Sequence, residues 1–125
     1  MNRPIHVEFR SADPSKSQAF YGELFGWKFE KLPTGGAPVE YWGISTGKET
    51  DPGIHGGMMK PRDNTPRTVA WVEVADVDKA TAQATKLGGK VLVPKMPVPG
   101  VGMLAYCADP EGVVFAVVKC ETSHR

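Results

Sequence analysis

The sequence predicts an α+β domain built from two tandem βαβββ modules. A strand–helix–three-strand pattern starts at residue 5 and starts again at residue 68. Identities also recur at a fixed offset, which places Ala12 on Ala75, Asp13 on Asp76, Lys16 on Lys79, Leu24 on Leu87 and Gly26 on Gly89. A helix cap accounts for the two aspartates alone, whereas the later identities require a repeated unit. Module one is expected over about residues 5–60, a connector over 61–67, module two over about 68–119 and a polar tail over 120–125.

The elements follow in order. "IHVEFR" reads as a strand whose His6, Glu8 and Arg10 share one face while Val7 and Phe9 share the other. "ADPSKSQAFYGELFG" reads as a helix, with Asp13 as N-cap, Pro14 in the first helical position and Gly26 as the stop. Phe20, Leu24 and Tyr21 are expected to form its buried stripe, and Trp27 to pack structurally behind it. "WKFEKL", "VEYWGIS" and the glycine-weakened "GIHGGMM" complete the first module. In the second, "TVAWVEV" is a strand and "ADVDKATAQATKLGG" a helix, followed by strands "KVLVP", "VGMLAYCA" and "VVFAVVK". The last is apolar throughout, as a strand buried on both faces would be.

Composition narrows the function classes. The 125 residues are 41% hydrophobic and 23% charged, with a formal net charge of +1 and scattered Lys and Arg, so neither nucleic acid nor an anionic membrane is an expected partner. No stretch has the length of a membrane span, and no signal-like apolar run follows Met1, so the cytoplasm is the expected location. Cys107 and Cys120 form no C-x-x-C pair and read as reduced thiols, Cys107 on a buried strand. The G-x-S-x-G, phosphate-loop and dinucleotide patterns are all missing.

"AFYGELFGW", "VADVDKA" and "DPEGVVFAVV", set in two βαβββ modules, resemble the vicinal oxygen chelate superfamily of glyoxalases, bleomycin-resistance proteins and extradiol dioxygenases over residues 5 to about 119. The resemblance implies a glyoxalase-like fold, in which the modules curl into a cup-shaped mixed sheet around a common cavity. It also implies metal ligands on the first and last strand of each module, where a divalent ion would hold two vicinal oxygens of a substrate. At the first-strand position module one carries His6, but module two carries Val69. The position four residues past Gly112 is Ala116, which also has no donor, while His55 lies near the ligand position of "GIHGGMM".

His6 and His55, with a carboxylate such as Glu8, are therefore the candidate ligands for Zn²⁺, Ni²⁺, Mn²⁺ or Fe²⁺. The residues leave two other readings open for His6: a polar wall of a metal-free cavity, shared with Glu8 and Arg10, or a place in solvent. For module two the period-2 rule puts Val69, Trp71 and Glu73 on one face, with Val114, Ala116 and Val118 lining the same space. Tyr41, Trp42 and Tyr106 are open between ligand contact and strand packing.

The expected function is a glyoxalase/bleomycin-resistance-like protein that binds a small molecule through His6, Glu8, Arg10, Trp71, Glu73, Val114 and Ala116, without a complete metal site. The alternative is a divalent-metal-dependent lyase, isomerase or dioxygenase, with Glu8 or Glu73 as the catalytic base. The resemblance further implies a homodimer. The extent of the cavity is expected to depend on loops at 33–38 and 96–102.

Overall fold

The computed structural model describes residues 1–33, 40–61 and 66–121. Most of the loop at 33–38, of the connector and of the tail lies outside the described residues. Two compact units divide the chain: His6–Thr68, and Met1–Ile5 with Val69–Arg125.

The first unit holds β1 (Arg3–Arg10, whose first residues group with the second unit), α1 (Pro14–Phe25), β2 (Lys28–Leu32), β3 (Tyr41–Ser45) and β4 (His55–Met59). The strands lie in the order β2-β3-β4-β1. The last three strands of the module form an antiparallel meander that brings β4 back beside β1, to which it is parallel. Helix α1 starts where the sequence places it. The Asp13 carboxylate accepts the Lys16 amide at 3.3 Å, Pro14 occupies the first turn, and Gly26 closes the helix in the left-handed conformation at φ 76°.

The expected buried stripe is not the one that forms. Phe20 and Leu24 are 59% and 57% exposed. The face of α1 that packs inward runs instead through buried Pro14 and half-buried Gln18, Tyr21 and Gly22, at positions i, i+4, i+7 and i+8. Phe20 precedes Tyr21, about 100° round the helix, and is turned out. Tyr21 anchors the inward side by stacking on Trp27 at 5.4 Å and meeting Phe9 at 5.7 Å.

The second unit repeats the plan with β5 (Thr68–Glu73), α2 (Val77–Lys86), β6 (Lys90–Val98), β7 (Gly102–Ala108) and β8 (Val114–Cys120), in the strand order β5-β8-β7-β6. Asp76 caps α2 by accepting the Lys79 amide at 3.0 Å. This helix closes at Leu87, so a cap residue stands where module one has Leu24, still inside the last turn of α1, and Leu87 is 67% exposed. Ala116, Val117 and Val118 of β8 are all buried, as an apolar strand packed on both faces should be. One face joins Val69, Trp71, Leu104, Tyr106, Ala116 and Val118, and the other joins Val74, Val77, Ala105 and Val117 under α2.

The 96–102 segment is less of a loop than expected. β6 continues through Pro94 and Pro97 to Val98, leaving only a short turn before Gly102. Proline is tolerated because β6 is the last strand in its unit's order and its pairing with β7 shifts register between Val91 and Val93 and again between Val93 and Met96.

Candidate functional site

In the first unit, strand alternation puts His6, Glu8 and Arg10 on one face of β1, and the parallel register sets His6 opposite His55 and Glu8 opposite Gly57. Glu8 is fully buried and accepts a hydrogen bond from Arg10 Nε at 2.6 Å, with the Arg10 side chain 5% exposed. A carboxylate and a guanidinium withdrawn from water this far are compatible with folding because each neutralises the other. Beside them the His6 Nε2 and the Tyr41 hydroxyl lie 3.1 Å apart. Tyr41 belongs to β3, so its side chain crosses β4 to reach β1, passing over Gly57.

His55 is directed elsewhere. The Thr46 amide donates to its Nδ1 at 3.1 Å, which leaves the proton of the neutral ring on Nε2, where Glu49 Oε2 lies 2.9 Å away. Thr46 Oγ1 also donates to the Ile54 carbonyl at 2.8 Å, so the imidazole closes the segment between β3 and β4.

The second unit presents a different face. Trp71 is paired with Ala116, Glu73 with Val118 and Tyr106 with Ala116, so the side chains named from β5 and β8 do come together. Val69, Trp71, Ala116 and Val118 are buried, Val114 packs at their edge, and Glu73 ends the row at 8% exposure. Leu104 and Tyr106 join them from β7. The period-2 rule applied to "GMLAYCA" carries the signal for these two, since both fall on the same face as Trp71's partner. Cys107 is fully buried on β7, and burial pushes its thiol pKa up, which removes it as a nucleophile.

The Glyoxalase/Bleomycin resistance protein/Dioxygenase superfamily model matches residues 3–117, nearly the whole of both units. The chain belongs to this superfamily. Among curated relatives, CFP32 of Mycobacterium tuberculosis, provisionally named a glyoxylase, is 28% identical over 92% of this chain and 43% of its own length. The anthracycline biosynthesis protein DnrV of Streptomyces peucetius is 30% identical over 91% of this chain and 46% of its own length. The chain thus spans under half the length of the curated relatives it matches. Among solved structures, a methylmalonyl-CoA epimerase of Streptomyces coelicolor in complex with 2-nitronate-propionyl-CoA superposes with a TM-score of 0.74 at 16% identity, covering 100% of this chain and 99% of that one. The likeness establishes the glyoxalase-like α+β fold. No helix among the described residues is long and apolar enough to cross a membrane.

Superfamily membership raises the question of a divalent metal, and the donor set answers on its chemistry. Both ring nitrogens of His55 have partners, Thr46 and Glu49, and His6 Nε2 faces a phenol. Among the described residues no three His, Cys, Asp or Glu side chains gather closely enough to hold an ion. Glu8 is committed to Arg10.

Proposed function

We propose that this chain is a small-molecule-binding member of the superfamily. Its first-unit face recognises an oxygen-bearing ligand through hydrogen bonds and charge, without a complete metal site. The observation that carries this reading is the division of the two histidines. His6 and His55 are partners on adjacent strands, yet one is held on Tyr41 and the other between Thr46 and Glu49. His6, Glu8 and Arg10 are proposed as the polar ligand contacts. Trp71, Glu73, Val114 and Ala116 of the second unit are proposed as ligand contacts on that unit's own aromatic and aliphatic face. Cys107 and Cys120 form no disulfide, which supports a reducing, cytoplasmic setting. The exposed Phe20, Leu24 and Phe25 support a homodimer, to be checked by light scattering after size-exclusion chromatography.

A second reading has one observation in its favour, the register that sets His6 opposite His55. A metal-dependent lyase, isomerase or dioxygenase would use these two as ligands and Glu8 or Glu73 as base. Such an enzyme would have to release His55 from Glu49 and Glu8 from Arg10.

One experiment separates the two. Untagged protein is incubated with Zn²⁺, Ni²⁺, Mn²⁺ or Fe²⁺, desalted and assayed by elemental mass spectrometry. The metal-free sample is then screened by thermal shift against methylmalonyl-CoA and an anthracycline aglycone, probes taken from what the relatives are named for. The binding reading expects far less than stoichiometric metal and a raised Tm with a probe. About one equivalent of metal, lost in both His6→Ala and His55→Ala, would overturn it in favour of the enzyme.

A further inference from the structure

The paired glycines of β4 have a use that strand propensity does not explain. Gly57 lies between Glu8 on β1 and Gly43 on β3 in the strand register, and all three share the face that carries His6. Adjacent strands lie about 4.8 Å apart, so a side chain on β3 must span roughly 10 Å to meet one on β1. Tyr41 does so by laying its ring over Gly57. A Cβ at position 57 would overlap the Tyr41 hydroxyl, its Cζ and its Cε2. Gly43, on the same face, is different: a Cβ there would meet only the flexible tip of Leu32, 3.2 Å away.

We propose that Gly57 is a positioning residue for His6, acting through Tyr41. The missing side chain at 57 seats the phenol against the backbone, and the seated hydroxyl, 3.1 Å from Nε2, gives that nitrogen a partner at one fixed place and so favours one orientation of the His6 ring. The functional meaning rests on the binding reading above, because an imidazole held in one orientation offers a ligand its hydrogen bond in one direction only. A larger residue at 57 would unseat the phenol and take that contact away from His6. Position 57 would therefore govern specificity without touching the ligand.

The test needs no ligand, so its outcome is independent of the probe screen. The His6 ring nitrogens are followed by ¹⁵N NMR in the wild type, Tyr41→Phe, Gly57→Ala and Gly43→Ala, with thermal unfolding recorded for each and for Tyr41→Ala alone and combined with Gly57→Ala. The His6 Nε2 resonance is expected at the same position in the wild type and in Gly43→Ala, and shifted in Tyr41→Phe and Gly57→Ala, where the phenol contact is lost. Gly57→Ala should lower Tm by roughly 5–10 °C through overpacking. The same substitution should cost almost nothing once Tyr41 is already alanine. An Nε2 resonance that Gly57→Ala leaves unmoved, or an equal Tm loss in both backgrounds, would overturn the proposal.

Discussion

The two units share one connectivity and have opposite interiors. In the first, the face of β1 is built around a buried Glu8–Arg10 pair and the His6–Tyr41 contact, and the helix side is an aromatic group of Phe9, Tyr21, Phe25 and Trp27. In the second, the corresponding face of β5 is an apolar cluster with one acid, Glu73, at its end. The βαβββ plan therefore demands little of the residues on that face beyond strand alternation. Hydrogen-bond satisfaction holds it in one unit and close packing in the other. A duplicated scaffold can in this way carry a hydrogen-bonded polar face in one half and a close-packed apolar face in the other.

That contrast can be broken by mutation. Trp71→Ala should cost about 3–5 kcal/mol in urea unfolding, because the second unit loses the largest side chain of its apolar face. Glu8→Ala should cost a similar 3–5 kcal/mol by another route, since it leaves the Arg10 charge buried without that carboxylate. The routes separate in a further variant. Replacing both partners, Glu8→Leu with Arg10→Met, should recover most of the loss. If it does not, the pair is needed for the fold itself and the contrast between the units narrows.

The helix caps sharpen the comparison at smaller scale. The Lys79 amide bonded to Asp76 holds that carboxyl below its usual value of 3.8. A depressed folded pKa contributes stability that is present above about pH 3.8 and lost as the pH falls through the lower folded value. Asp76→Asn, which still caps but does not titrate there, should show less acid-induced loss of helix by circular dichroism than the wild type. Smaller still, Phe20→Ser and Leu24→Ser should leave stability within about 0.5 kcal/mol, as exposed positions do. A larger loss at protein concentrations that favour association would place those residues in a contact between copies. Cys107 should resist thiol reagents at pH 8 until denaturant is added, because burial raises its pKa.

The sequence was most legible where local chemistry and period act alone. Asp13, Pro14 and Gly26 bound α1 because capping depends on a few neighbouring residues. The alternation of β1 and β5 held because the side-chain period of a strand is set by backbone geometry. The motifs near Gly26 and Gly112 carried the family. The inward face of α1 was not legible. The apolar residues Phe20 and Leu24 suggest one stripe, but the angle at which the helix meets the sheet selects Pro14, Gln18 and Tyr21. The strand through Pro94 and Pro97 was also hidden, since only its place at the end of the strand order makes proline acceptable there.

By itself, then, the sequence determined two modules, their elements and the faces on which His6, Glu8, Arg10, Trp71 and Glu73 stand, all of which follow from local periodicity and caps. Only the tertiary structure decided what those side chains meet. Pairing across strands turned His55 toward Thr46 and Glu49, brought Tyr41 over Gly57 to His6, and joined Glu8 to Arg10. Such partners come from register and from the room a neighbour leaves, and neither quantity is written in the spacing of residues along a single strand.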